Sequence, residues 1–384
     1  MNIQTAARLN SVSEYYFSKK LREVAELIQS GRPVLNMGIG SPDLPPHPSV
    51  VKALTAGLNH PKAHMYQSYQ GLPALREAMA KFYQQHYEVT LDATAEVLPL
   101  MGSKEGIMHI SMAFLNKGDQ VLIPNPGYPT YQSVTRLVEA EPIFYPLSEK
   151  HHWQPDFKWL AQLDTSKIKL MWINYPHMPT GAIVQMETFQ RLIQWAKQNE
   201  ILLINDNPYS FILTDKPQSL LSIKGAKAVA LELNSLSKSF NMAGWRVGML
   251  AGNAQNIQAV LKVKSNMDSG MFYGIQQGAI AALQTPQSWF DALNATYQNR
   301  RELIEELATA MNTSFDSKSV GMFIWAKLPD QSLSDVAFID EILYTKDIFI
   351  TPGSIFGSQG EGYIRFSLCV AEEQIKTAIK RIKG

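Results

Sequence analysis

Lys238 lies in the stretch SLSKSFNMAGWRVG, residues 235–248, among the hydroxyls of Ser235, Ser237 and Ser239, with Arg246 eight residues further on. Other polar groups end short apolar runs in the same way. Asp206 and Tyr209 follow the run at 201–204, and Asn174 follows the run at 170–173. Ser103 and Lys104 follow LPLMG at a predicted helix start. In an open α/β sheet, ligands collect at the carboxyl ends of the strands, so these groups are predicted to meet on one rim. Each answers a distinct chemical demand. A phosphate dianion is held by helix N-terminal amides, hydroxyls and a guanidinium, which Ser103, Lys104, Ser235, Ser237 and Arg246 can supply. A protonated pyridine nitrogen needs a buried carboxylate beside it, which raises its pKa by about 1–3 units; Asp206 fits that part. An amine with a free pKa of about 10.4 can hold an aldehyde as an imine once desolvation and nearby cations depress it. Lys238 is that amine. The set suits an aromatic cofactor carrying an aldehyde, a ring nitrogen and a phosphate.

The elements that must position these groups are legible from periodicity. Apolar runs at 121–123, 170–173, 201–204, 229–233 and 247–250 read as buried strands, and helical patterns such as ETFQRLIQWAKQN lie between several of them. This is α/β patterning with a mainly parallel sheet covered on both faces. After about residue 284 a long helical stretch leads to strand-like runs at 322–326, 348–350 and 363–368 and a last helix, which reads as a smaller α+β unit. Near the N-terminus, Ser11 and Glu14 have capping-box spacing ahead of apolar positions that include Tyr15, Leu21, Val24, Leu27 and Ile28. That helix is expected to complete the smaller unit, and a cleft between two units is a natural ligand site.

Bulk composition narrows the alternatives. The chain has 384 residues, with 35 Lys and Arg against 34 Asp and Glu. Such a balance gives no reason to expect nucleic acid or an anionic membrane as partner. The N-terminus is too polar for a signal peptide, and no apolar run approaches the ~18 residues of a membrane span; the expected location is the cytoplasm. Cys369 is the sole cysteine, which excludes an internal disulfide and a cysteine-based metal site. The histidines show no ligand spacing, so no metal is expected. Gly38-Ile39-Gly40 is followed by proline instead of a helix and is no dinucleotide fingerprint, and Gly102-Ser103-Lys104 lacks the upstream glycine of a P-loop.

Taken in order, YQSYQGLPALREAMA, GSKEG, PNPGYPTY, NYPHMPTG, DNPY, SLSKSFNMAGWRVG and YIRFS resemble the class I/II pyridoxal-phosphate aminotransferases of fold type I over almost the whole chain. The resemblance is to the aspartate and LL-diaminopimelate aminotransferase branch. It implies a large domain, residues 46–284, with a mainly parallel seven-stranded sheet, and a small domain from residues 1–45 and 285–384. The cofactor it implies is pyridoxal 5'-phosphate, with Lys238 as its covalent anchor and proton carrier. Asp206 is implied to pair with the ring nitrogen, and Tyr209 to donate to the phenolic oxygen. Tyr128 would stack on the ring, with Asn174 also at the cofactor. Ser103, Lys104, Ser235, Ser237 and Arg246 would hold the phosphate. Arg365 would clamp the substrate α-carboxylate, with Gly40 against the bound amino acid. Tyr66 would reach the phosphate of a second subunit, which implies a homodimer. The implied reaction moves an amino group between an amino acid and a 2-oxo acid, and GSKEG with Lys104 tilts the expectation toward acidic or dicarboxylic substrates.

Plain structural readings stand beside these. A strand arginine such as Arg365 often serves an ion pair, and Tyr66 and Tyr128 are the kind of residue that packs. Tyr69 and Tyr131 read as packing aromatics, and the Lys104 side chain can equally face solvent. In NYPHMPTG the family usually has asparagine before Pro-Thr-Gly, donating to the phenolic oxygen; Met178 stands there and cannot donate. A raised imine pKa is the expected consequence, unless Asn174 or a water substitutes. Two rivals remain on this scaffold: a C–S β-lyase, and a relative that binds the cofactor with weakened catalysis.

Overall fold

The computed structural model describes residues 3–14, 16–329 and 334–384. Its central sheet comprises Val97–Leu100 (β1), Gln120–Asn125 (β2), Glu141–Pro146 (β3), Ile168–Ile173 (β4), Leu202–Asp206 (β5), Ala230–Ser235 (β6) and Gly248–Gly252 (β7). The spatial order is β1-β7-β6-β5-β4-β2-β3, and only β7 runs antiparallel to its neighbours. Alternate residues of a strand face opposite sides. In β4, accordingly, Met171 and Ile173 belong to one apolar cluster while Leu170 and Trp172 belong to another. A strand buried on both faces reads as a continuous apolar run, which is why the runs at 121–123 and 170–173 fall inside β2 and β4 and the run at 201–204 overlaps β5, with Ile201 just ahead of the strand. β3, EPIFYP, is an edge strand without that pattern; its prolines are tolerated because an edge leaves one side of the ladder unpaired.

The C-terminal part forms a four-stranded antiparallel sheet in the order Thr351–Pro352, Tyr363–Ser367, Phe323–Lys327, Ser314–Phe315. The N-terminal segment packs with this part through a separate two-stranded sheet, in which Leu35–Asn36 pairs in parallel with Ile348–Phe349, and Lys20 bridges Glu23 and Asp340. The expected capping box at the N-terminus does not form. The Ser11 hydroxyl donates to the Arg8 carbonyl, Glu14 pairs with Arg22, and the helix runs over Tyr16–Gln29. An arginine eight residues away offers Glu14 a charged partner, which outcompetes a single neutral backbone amide. The predicted position Tyr15 lies outside the described residues.

Between these parts runs the loop carrying Gly38 to Pro46, held at one end by the Thr351 hydroxyl donating to the Gly38 carbonyl and at the other through Asp43 and Pro45. Arg300, on the helix Gln287–Ala310, grips Asp43 through two hydrogen bonds of 2.7 and 2.8 Å, and Asn241 donates to the Pro45 carbonyl. Among the described residues no helix is long and apolar enough to cross a membrane.

Candidate active site

A cavity of about 420 Å³ opens at the carboxyl ends of β4, β5 and β6. Every site residue predicted from the sequence lines it except Tyr66, which is 91% exposed.

Lys238 sits in the helical turn Leu236–Ser239, whose first turn is capped by the Ser235 hydroxyl accepting from the Ser237 amide at 3.1 Å. A serine after an extended strand residue is a strong N-cap, so the local sequence builds the step from β6 that aims the lysine inward. Its Nζ donates to the Gly40 carbonyl at 2.5 Å. Burial pushes the ammonium pKa down; Cys369 opposes this, while Arg365 and Arg246 add to it. Glycine at 40 has a separate reason: a Cβ there would run into the Phe323 ring.

Asp206 is the last residue of β5 and is buried. Its Oδ2 accepts from the Tyr131 hydroxyl at 2.8 Å, and its backbone carbonyl accepts from Asn174 Nδ2 at 2.5 Å. Its Oδ1 is buried with no hydrogen-bond partner among the described residues. Burial raises the carboxyl pKa to about 6, against the Tyr131 hydrogen bond, which lowers it. Asn174 Oδ1 accepts from the Met178 amide at 2.8 Å, so this asparagine ties β5 to the loop after β4. Tyr209 stands three residues beyond Asp206, and burial pushes its phenol pKa up.

Cations and hydroxyls gather at the other end. Gly102 has φ 93°, a left-handed backbone that glycine adopts without strain, and a Cβ there would collide with the Arg246 guanidinium. Ser103 then opens the helix Ser103–Phe114, and Lys104 follows it, its pKa lowered by burial and by Arg246. Arg246 donates to the Ala243 carbonyl at 2.9 Å and to the Ser237 hydroxyl at 3.4 Å.

Arg365 projects from the C-terminal sheet. It donates to the Gly38 carbonyl at 2.8 Å and to Met178 Sδ at 3.4 Å, and its guanidinium carbon lies 4.0 Å from the centre of the Phe323 ring and 4.8 Å from that of Phe356. Phe17, Leu21 and Ile39 add an apolar wall. None of these wall residues was predicted, since one apolar side chain in a helix or loop looks like any other core position. Tyr131 carries a weak signal in retrospect: it lies one helical turn after Tyr128, on the helix Pro129–Leu137. It does pack, as predicted, but it also bonds Asp206. Tyr69, also read as packing, is 45% exposed.

No metal was expected, and among the described residues one group, Glu105, His109 and Asp268, has ligand atoms within 4.8 Å of one another. The Lys264 ammonium, 2.8 Å from Asp268, already supplies positive charge there.

The family described as aminotransferase class I and II matches residues 32–382. An LL-diaminopimelate aminotransferase of Dehalococcoides mccartyi is 40% identical, over 100% of this chain and 99% of that protein. The apo-BacF structure from Bacillus subtilis superposes with a TM-score of 0.95 at 35% identity, covering 100% of this chain and 98% of that one. An aminotransferase structure from Staphylococcus aureus gives a TM-score of 0.90 at 30% identity, covering 99% and 98%.

Proposed function

The chain belongs to the class I and II aminotransferases, and from that premise we propose how its residues divide the work. It is a pyridoxal-phosphate-dependent aminotransferase of fold type I. The donor set fits that cofactor. Asp206 Oδ1 is a buried oxygen without a partner among the described residues, as a ring N–H⁺ requires. Ser103, Ser235, Ser237, Lys104 and Arg246 gather as a phosphate requires, with glycine at 102 leaving room for the guanidinium. This convergence on one cavity with Lys238 carries the reading.

When bound, pyridoxal phosphate supplies an electron sink for the substrate's α-carbon. Lys238 Nζ, whose pKa is depressed by burial, is the base that takes the α-proton and the acid that redelivers it. With that cofactor bound, Asp206 would keep the ring nitrogen protonated, Tyr209 would donate to the phenolic oxygen, and Tyr128 would cover the ring face. Arg365 would orient the α-carboxylate through its guanidinium fork, and Gly40, whose missing Cβ makes room for the Phe323 ring, would lie against the bound amino acid. Asn174 acts by holding the Asp206 carbonyl and the Met178 amide. Its Oδ1 and one of its two Nδ2 hydrogens are engaged there, which leaves one hydrogen as a donor.

A homodimer is part of the proposal. Tyr66, with Met65, Met267 and Phe272 also exposed, would reach the partner's phosphate site. The domain division at residues 46 and 284 is retained, with the N-terminal segment tied to the C-terminal part through the two-stranded pairing of Leu35–Asn36 with Ile348–Phe349. For the substrate, we propose a dicarboxylic donor. LL-diaminopimelate, named for the relative at 40% identity, carries two carboxylates, and Lys104 lines the cavity as a cation for the distal one. A panel of amino donors with 2-oxoglutarate as acceptor tests this. Transfer from dicarboxylic donors is expected; transfer only from apolar donors overturns the preference, and transfer from none overturns the amino-transfer reading. A C–S β-lyase would instead release ammonia and pyruvate from a cysteine conjugate.

Met178 gives a second prediction. A hydrogen bond to a charged oxygen is worth about 1.5–3 kcal/mol, or about one to two pH units. Met178→Asn adds a donor that stabilises the phenolate and weakens its hold on the neighbouring proton. The midpoint of the coenzyme's visible absorbance titration should therefore fall by about one unit. An unchanged midpoint would refute the role assigned to position 178.

A further inference from the structure

Asp206 is held in place by two different elements. Asn174, at the end of β4, takes its backbone carbonyl. Tyr131 takes one of its side-chain oxygens at 2.8 Å. Tyr131 has no freedom to do otherwise. It is fully buried, its ring lies flat on Trp172 of β4 with centroids 5.0 Å apart and planes 8° from parallel, and Tyr128 meets it edge-on at 5.6 Å. Trp172 pairs with Ile204 on β5, two residues before Asp206, so the tyrosine is seated on the sheet that carries its partner.

The chemistry of this bond is directional. A carboxylate only accepts, so the phenol is the donor. Burial and the adjacent Asp206 push the Tyr131 phenol pKa well up, so it remains a donor at any pH the protein meets. The other groups at the carboxylate do different work. Tyr128 and Tyr209 are phenols of the same cavity, Lys238 is its amine, and Asn174 is spent on the backbone.

We propose that Tyr131 is a positioning residue of the reaction: its hydroxyl pins Asp206 Oδ2, which turns Oδ1 to the coenzyme ring nitrogen and holds the carboxyl in its ionised form. This rests on the reading that Asp206 pairs with that nitrogen. Without the hydroxyl, the buried carboxyl keeps its desolvation penalty and loses the hydrogen bond that opposes it.

The test compares Tyr131→Phe, which keeps the stack on Trp172, with Asp206→Asn and the parent protein. In coenzyme-free protein the Asp206 carboxyl is titrated by ¹³C NMR, identified by its absence in Asp206→Asn. Tyr131→Phe should raise its midpoint by about one to two pH units and weaken coenzyme binding about tenfold or more. A midpoint and affinity both unchanged overturn the proposal. If Tyr131→Phe does not fold, fluorotyrosine at 131 serves instead. It is a stronger donor of nearly the same shape, so the midpoint should fall, and an unmoved midpoint again overturns the proposal. The two readings fail separately. Asp206→Asn that binds coenzyme and transfers amino groups like the parent removes the ring-nitrogen assignment. An impaired Asp206→Asn beside an unaffected Tyr131→Phe removes only the role of Tyr131.

Discussion

Lys238→Ala should lower amino transfer by about 10⁴-fold or more, because a single side chain carries both the covalent attachment and the proton transfer. Lost folding is not the expected reason. The only hydrogen bond the Lys238 ammonium makes to the described residues is to the Gly40 carbonyl, and alanine suits the helical turn that holds it. Burial depresses the lysine pKa, so the unfolded chain binds the proton more tightly than the folded one. The lysine therefore costs stability at neutral pH, and that cost fades as pH rises toward the free value. Coenzyme-free Lys238→Ala should melt no lower than the parent at pH 7. Stopped-flow half-reactions and thermal melts measure the two effects together. Loss of activity with collapse of the fold would contradict the assignment, as would a variant with more than about one per cent of the parental rate.

Asp206→Asn is expected to show the opposite signs for activity and stability most sharply. The amide keeps the carboxylate's shape but cannot carry the charge that protonates the ring nitrogen. A preorganised charge of this kind contributes about 10²–10³-fold to rate, and a loss of that size is predicted. Stability moves the other way. The folded-state carboxyl pKa of about 6 stands above the ordinary 3.8 because of burial. The folded, coenzyme-free protein therefore binds the proton more tightly than the unfolded chain, and its stability falls as pH rises from about 4 to about 6. A displacement of about two pH units corresponds to about 3 kcal/mol. Asp206→Asn removes that penalty, so at pH 7.5 it should be the more stable protein by an amount of that order, with the difference shrinking toward pH 4. Urea unfolding at the two pH values checks this. A variant less stable than the parent at pH 7.5 would show that the carboxylate is compensated by contacts beyond Tyr131.

How much of this was readable beforehand depended on whether a residue's role leaves a mark along the chain. The parallel strands did, because burial on both faces forces continuous apolar runs, and the residue after each run then falls on the rim. Asn174 directly follows its run, Asp206 ends its strand two residues beyond its run, and Lys238 lies in the helical turn after its strand, all on the cavity rim. The edge strand Glu141–Pro146 left no such mark. Ser11 and Glu14 gave a false one: the spacing of a cap is satisfied by many sequences, and a charged partner at Arg22 decided the outcome. Tyr131 shows the deeper limit. Its ring does pack, which is all that its spacing reports, but its hydroxyl meets a carboxylate 75 positions away, and that pairing exists only once β5 lies beside β4. The contact between Met178 and Arg365 is of the same kind, joining residues 187 positions apart.

The most direct test of the whole account is chemical. The coenzyme-loaded protein is reduced with borohydride, digested and mapped by mass spectrometry. The account predicts one modified peptide, carrying the reduced coenzyme on Lys238. Modification confined to another lysine, such as Lys104, or no modification of a protein that has bound the coenzyme, would contradict it.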